Sequence, residues 1–259
     1  MSSSIVVLGA HGAKSKEGGS SSFLLNNSNV IDAGNLLIPL EEKSADIETV
    51  WLTHSHLDHI ADLAYILDNY FETRTKTLKI MALEETIEDL KAHFFNDKIW
   101  PDFSKITLKH NRQKVLCYES ITLGKQYELE DSKTIQAFEG DHSVASVGYI
   151  IHTPTSSLLL SADTYSLEHI LSLVKNDTSI KALMIECSFP IRMATLAQTS
   201  KHLTAKYLFE GIEPLKGLGL KLYVNHIKPV YKDEIITEIE QFKDTWDVTF
   251  LEDGDSIVF

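Results

Sequence analysis

The run Thr53-His54-Ser55-His56-Leu57-Asp58-His59 decides how the rest of the chain is read. It follows an apolar segment, residues 50–52, and leads into Ile60, Leu63, Ala64, Leu67 and Phe71, which recur at helical spacing. The stretch therefore predicts a strand, a tight loop and a helix. His54 and His56 stand two apart and share one face of extended backbone. Asp58 and His59 fall where the helix begins and can serve a second position close by. Imidazole nitrogen and carboxylate oxygen are the donors zinc takes, at about 2.0–2.2 Å. Three histidines and an aspartate packed into residues 54–59 fit that donor set, whereas a solvated polar loop has no need to concentrate them.

Outward from this cluster, residues 5–8, 22–25 and 30–32 are short apolar runs, with turn chemistry at Asn26-Asn27-Ser28-Asn29. Residues 50–53 give a further strand, 84–95 read as a second helix, and 115–138 read as several short strands. Residues 147–152 and 158–161 flank Thr153-Pro154-Thr155-Ser156 and predict a hairpin. Beyond it helix and strand alternate: a helix near 167–174, a strand at 182–186, and a helix from about 201 to 212 with Ser200 as its N-cap. A strand at 221–224, a helix at 234–242 and strands at 248–251 and 257–259 complete the pattern. The sequence contains no internal repeat, low-complexity tract or Pro/Gly-rich linker. The expectation is one α/β (α+β) domain over residues 1–259, a sheet-rich core with helices on its outer faces.

The 259 residues, 43% hydrophobic and 24% charged, have the composition of a globular protein with enough chain to bury a core. No apolar run approaches the ~18 residues that span a bilayer. The first twenty residues lack the basic start and long apolar stretch of a secretory leader. Two cysteines, Cys117 and Cys187, make no disulfide framework. A cytoplasmic protein without a membrane partner is the expectation. The net charge of −13 disfavours nucleic acid polymers as partners, because the overall field repels phosphate. A small anion held by metal ions stays open, since a bound cation outweighs the carboxylates around it.

The H-x-H-x-D-H run between strand and helix resembles the metallo-β-lactamase superfamily, and the resemblance can be followed along almost the whole chain. His142 in Gly140-Asp141-His142-Ser143, Asp163 in Ser161-Ala162-Asp163-Thr164 and His226 in Val224-Asn225-His226-Ile227 match, in order, the superfamily's later metal ligands. Each alone is weak, because a single His or Asp at a strand end is usually structural; their joint order carries the reading. The resemblance implies a metallo-β-lactamase αββα sandwich with two divalent metal ions at one edge, zinc first and manganese or iron as alternatives. His54, His56 and His142 would hold one ion, Asp58, His59 and His226 the other, with Asp163 bridging. Asp32, in Val30-Ile31-Asp32-Ala33-Gly34, would support the metal-binding loop from behind. Relatives on this fold often dimerise, which leaves a homodimer open.

The C-terminal third narrows the chemistry. Ile185-Glu186-Cys187-Ser188-Phe189-Pro190, Ser200-Lys201-His202-Leu203-Thr204 and Asn225-His226-Ile227-Lys228-Pro229 resemble, in that order, the class II cyclic-nucleotide phosphodiesterases. The resemblance implies hydrolysis of a 3′,5′-cyclic nucleotide (cAMP or cGMP) to the 5′-monophosphate by hydroxide generated on the metal pair. The catalytic roles fall on Asp58, His202 and Glu186. His202 would act as proton donor or phosphate contact, oriented by Glu186 and placed near a helix start whose backbone N–H groups favour anions. A ribonuclease Z-like endonuclease, a thioesterase or lactonase, and a metal-stabilised binding domain without activity are the alternatives. The acidity of the chain weighs against a transfer-RNA substrate. Intact ligand positions weigh against a binding domain. His11 is a residue that can line the cleft, although a loop histidine without a role is equally ordinary; Arg192 can meet phosphate, but a solvated arginine is the preferred reading. His93, His110, His152 and His169 lack metal spacing, and Cys187 reads as a small core residue.

Overall fold

The structure is a computed structural model that describes residues 4–130 and 132–259. Fourteen strands are formed among them. They are β1 (Ser4–Gly9), β2 (Ser22–Leu24), β3 (Asn29–Ile31), β4 (Thr49–Trp51), β5 (Leu78–Ala82), β6 (Leu116–Ser120) and β7 (Gln126–Glu128), followed by β8 (Thr134–Glu139), β9 (Val147–His152), β10 (Ser157–Leu160), β11 (Ile180–Glu186), β12 (Lys221–Asn225), β13 (Asp247–Phe250) and β14 (Ser256–Val258). They make two seven-stranded sheets, β14-β1-β2-β3-β4-β5-β6 and β13-β12-β11-β10-β9-β8-β7. The helices are α1 (Leu37–Leu40), α2 (Leu57–Tyr70), α3 (Glu84–Asp89), α4 (Glu168–Asn176), α5 (Ala194–Thr199), α6 (Ala205–Ile212) and α7 (Lys232–Glu240).

Side chains alternate across a strand, so a strand apolar on both faces must be covered on both. In β3, β4 and β5, Val30, Val50 and Ile80 turn outward to the layer shared with Ile60, Leu63, Ile66 and Leu67 of α2. Their neighbours Ile31, Trp51 and Met81 turn inward. In the second sheet Leu159, Leu183 and Ile185 meet Ile170, Leu208, Ile212 and Ile235 of α4, α6 and α7. Leu158, Leu160, Ala182 and Met184 point to the inter-sheet layer instead. Three apolar layers result, and the architecture is the αββα sandwich of the metallo-β-lactamase fold. Among the described residues no helix is long and apolar enough to cross a membrane.

Two local expectations are corrected. The helix beginning at Glu84 does not continue unchanged to residue 95: α3 ends at Asp89 and a π-helical turn covers Leu90–Phe94. The helix expected from about residue 201 begins at Ala205, with Thr204 rather than Ser200 as N-cap, its Oγ1 accepting the Tyr207 N–H at 3.4 Å. Ser200 instead closes α5, donating its hydroxyl to the Leu196 carbonyl at 2.8 Å. Lys201, at φ 58°, breaks the helical path between the two. His202 therefore sits on a connecting turn, not in the first turn of a helix.

Candidate metal centre

Strands of both sheets deliver the candidate residues at one edge of the sandwich. Asp32 follows β3, His54 follows β4 and precedes α2, and His142 follows β8. Asp163 follows β10, Glu186 ends β11 and His226 follows β12. Parallel pairing of β10 with β11 and of β11 with β12 brings those three ends side by side. Among the described residues, four of the eight non-glycine residues with positive φ lie here: Asp32 (56°), Ala162 (52°), Lys201 (58°) and His226 (57°). This backbone region is sparsely populated for residues other than glycine, and such strain persists only where surrounding contacts hold it.

His54, His56, His142 and Asp163 form one group of ligand atoms lying within 4.8 Å of one another, and Asp58, His59 and His226 form a second. Asp163 faces both: its Oδ2 lies 3.7 Å from His54 Nε2 and 3.4 Å from His59 Nε2, and its Oδ1 lies 3.2 Å from His226 Nε2. The structure thus brings together all seven residues that the sequence resemblance selected. Asp163, His202 and His226 form a third overlapping group, which places His202 at the same centre.

The outward nitrogens of His54, His59, His142 and His226 are occupied, which fixes their orientation. His59 Nδ1 donates to Asp32 Oδ2 at 2.6 Å, and His142 Nδ1 donates to the Lys201 carbonyl at 3.0 Å. Thr53 Oγ1 donates to Asp32 and accepts from His54 Nδ1 at 3.0 Å. The opposite nitrogens converge: His59 Nε2 and His226 Nε2 are 3.3 Å apart, and His142 Nε2 and His56 Nδ1 are 3.1 Å apart. His54 Nε2 and Asp163 Oδ1 are buried without a hydrogen-bond partner among the described residues. Buried polar atoms are seldom left so. Crowded ring nitrogens around an orphaned carboxylate oxygen are the donor set a divalent cation satisfies.

The electrostatics agree. Burial, reinforced by neighbouring histidines, pushes His54 well below the ordinary histidine value, and burial holds His142 down at about 4. Both are neutral at neutral pH, the form in which imidazole binds a metal. Burial works against the charge of Asp163 and Asp58, but the surrounding histidines overcome it and keep both carboxyls well below the usual range. His59 is the exception: burial opposes its charge, yet Asp32 and Asp163 raise it well above the ordinary value. A metal at His59 Nε2 would displace a proton.

Beside this cluster, His202 Nδ1 donates to Glu186 Oε1 at 2.8 Å, with Glu186 buried and His202 7% exposed. Burial disfavours the imidazolium, but Glu186, with Asp163, raises His202 above its ordinary value. Two side chains were not selected from sequence. Thr53 joins Asp32 to His54, and Ser188 lies between Glu186, His202 and His226. Both sit inside the quoted motifs, which was the available signal. Arg192 pairs with Glu234 on the surface. His11 is buried, 3.5 Å from Glu252 rather than among the ligand atoms. Cys187 is buried in the helix-facing layer. His93, His110 and His169 are exposed and His152 half-buried, all outside the cluster.

A two-sheet sandwich with this His/Asp cluster at its strand ends defines a protein of the metallo-β-lactamase fold. Solved structures agree on that fold: unliganded yeast PDE1 (TM-score 0.84, 19% identity, all of both chains covered) and the Bacillus subtilis metallo-β-lactamase fold protein YhfI (0.73, 18%, 98% of each). Human tRNase Z, short form, is similar at a TM-score of 0.68, with 17% identity over 98% of each chain. Within the fold, the chain belongs to the class-II cAMP phosphodiesterase family, whose profile matches residues 26–248. Two curated relatives are each 25% identical over 82% of this chain: the 3′,5′-cyclic-nucleotide phosphodiesterase 1 of Saccharomyces cerevisiae and a probable 3′,5′-cyclic-nucleotide phosphodiesterase of Yersinia pestis. The matches span 65% and 68% of those relatives' own lengths.

Proposed function

We propose that this protein hydrolyses 3′,5′-cyclic nucleotides to 5′-monophosphates at a centre of two divalent metal ions, zinc first. The observation that carries the reading is the meeting of two ligand groups on Asp163, with the Glu186–His202 pair beside them. His54, His56 and His142 would hold one ion, Asp58, His59 and His226 the other, and Asp163 both. Such a pair, when bound, supplies Lewis acidity toward the phosphoryl group and lowers the pKa of a coordinated water.

The remaining chemistry belongs to the chain's own residues. Hydrolysis adds water across the P–O3′ bond: the water oxygen joins phosphorus, and the ribose 3′ oxygen leaves and must receive a proton. A sugar alkoxide is a poor leaving group, so a positioned acid is useful, typically by about 10²–10⁴-fold. Glu186 ties up His202 Nδ1 and favours the imidazolium, which leaves Nε2 to carry that proton. Asp32 holds the His59 ring and Thr53 the His54 ring in place while substrate binds.

The test is turnover of cAMP and cGMP by zinc-loaded protein, following the 5′-monophosphate, with a precursor transfer RNA as control. Cyclic-nucleotide cleavage without cleavage of the RNA is expected, and His202→Ala should keep zinc while losing about 10²–10⁴-fold in kcat. Failure to cleave either cyclic nucleotide with two zinc ions bound refutes the substrate assignment. Full activity of His202→Ala refutes the proton-donor role.

A further inference from the structure

Ser188 lies two residues beyond the end of β11, fully buried, where the ends of β11 and β12 approach. Its Oγ is 2.6 Å from Glu186 Oε2, 2.9 Å from His226 Nδ1, 3.2 Å from the His226 carbonyl and 3.2 Å from His202 Nδ1. A hydroxyl has one hydrogen to give and two lone pairs. The carboxylate is the strongest acceptor in reach, and 2.6 Å is the length of an O–H···O⁻ bond, so the hydrogen goes to Glu186. If it went to His226 instead, two oxygen lone pairs would face each other at 2.6 Å in a dry interior. Oγ must then accept from His226, so the proton of that ring sits on Nδ1. His226 Nε2 is left as a bare lone pair, 3.3 Å from Asp58 Oδ2 and 3.2 Å from Asp163 Oδ1.

We propose that Ser188 is a positioning residue that carries the Glu186 carboxylate to His226, so that one buried acid sets both the donor histidine and a metal-facing histidine. Glu186 reaches His202 directly through Oε1 and His226 through Ser188 from Oε2. The relay rests on the metal reading above. It also assigns a use to the left-handed backbone of His226, which turns the ring back toward Ser188 after the strand has ended.

The experiment is competition of the full-length protein against a zinc chelator, resolving the two binding steps for wild type, Ser188→Ala, Ser188→Thr, Glu186→Gln and the double variant Glu186→Gln/Ser188→Ala. Removing a partner that orients a metal-ligating histidine typically costs about 10–100-fold in affinity. Ser188→Ala should therefore weaken one zinc step by about that factor and leave the other intact, and Ser188→Thr, which keeps the hydroxyl, should recover most of the loss. In Glu186→Gln, the Thr164 N–H that points at Oε1 at 3.2 Å favours an oxygen there. The amide nitrogen then faces Ser188 as a donor, so the Ser188 hydrogen turns to His226, ring or carbonyl, and the carboxylate charge no longer reaches the ring. The same zinc step weakens, and the double variant is no worse than Ser188→Ala alone. Unchanged zinc steps in Ser188→Ala, or losses that add in the double variant, overturn the relay and leave Ser188 as a small filler between strand ends. Should Ser188→Ala fail to fold, unchanged zinc affinity in Glu186→Gln overturns it equally. Wild-type protein that takes up no zinc overturns the metal reading and the relay together.

Discussion

Replacing Asp32 separates its contribution to the fold from its contribution to the metal centre. Its Oδ1 accepts the Thr53 N–H at 2.8 Å, and its Oδ2 accepts from His59 Nδ1 at 2.6 Å; Asp32 and His59 are each 1% exposed. Asp32→Ala strands three donors in a dry interior, the Thr53 N–H, the Thr53 hydroxyl and the His59 Nδ1–H, where an unsatisfied group costs about 1–3 kcal/mol. The expected loss is roughly 3–9 kcal/mol, a large part of the ~5–15 kcal/mol that holds a domain folded. Asp32→Asn keeps the shape and an oxygen for Thr53 but turns a donor toward His59. The His59 proton must then move to Nε2, the atom that faces Asp163 and His226. Stability should fall much less than in the alanine variant, while one zinc step weakens by about 10–100-fold. Urea unfolding of the zinc-free variants reports the first quantity and chelator competition the second. Wild-type zinc affinity in Asp32→Asn would refute the tautomer argument, and a wild-type unfolding midpoint in Asp32→Ala would refute the hydrogen-bond argument.

Further outcomes follow from the same geometry. Because Glu186 holds His202 above its ordinary value against burial, a proton-donor His202 keeps kcat up as pH rises until that raised value is passed. Glu186→Gln removes the charge, so the alkaline fall of the pH–kcat profile should move to lower pH; an unmoved limb refutes the coupling. Zinc binding should release a proton near neutral pH, since Asp32 and Asp163 keep His59 protonated in the metal-free protein despite its burial. Affinity then rises with pH until the raised His59 value is passed, which calorimetry in buffers of different ionisation enthalpy detects; a buffer-independent heat counts against it. Leu183→Ala, in the layer under α4 and α6, should cost about 2–5 kcal/mol in unfolding while leaving both zinc steps in place.

Much of this was legible in the sequence, and the residues that escaped share a physical reason. The two-residue alternation of Val30-Ile31, Val50-Trp51 and Leu158-Leu159-Leu160 marks strands covered on both faces, and the helical spacing after His59 marks α2. The candidate ligands were legible because metal chemistry restricts the residue types in the run from His54 to His59, and because the order of His142, Asp163 and His226 after it resembles the superfamily's. Ser188 and Thr53 were not, because a serine or threonine in a motif has the same appearance whether it caps a turn or joins two buried rings. The Lys201 carbonyl that holds His142 belongs to the backbone and leaves no trace in residue type. The start of α6 was misplaced for a related reason. Ser200 and Thr204 are both good caps, and nothing local distinguishes them until Lys201 turns left-handed and the helix can begin only after it.

The cluster also bears on why the sandwich closes at this edge. His54 and His59 come from the end of the first sheet, whereas His142, Asp163 and His226 come from the second. Hydrogen bonds join the sheets here: Val147 N–H to the Thr53 carbonyl at 2.9 Å, Tyr149 hydroxyl to the Leu52 carbonyl at 2.8 Å and His226 N–H to the Ala10 carbonyl at 2.7 Å. Against them stand crowded ring nitrogens and two buried carboxylates, Asp32 and Asp163, with strained backbone at four positions. Such an arrangement costs free energy in isolation, and apolar packing between the sheets must offset it when no cation is present. Metal binding at the proposed centre would reverse the sign, because each ion would take donors from both sheets and join them. At one hundred times its dissociation constant a ligand adds about 2.7 kcal/mol to folded-state stability. Catalytic geometry and sheet closure therefore depend on the same few atoms, and a substitution that loosens one loosens the other unless, as in Asp32→Asn, it changes a proton's position and leaves the shape alone.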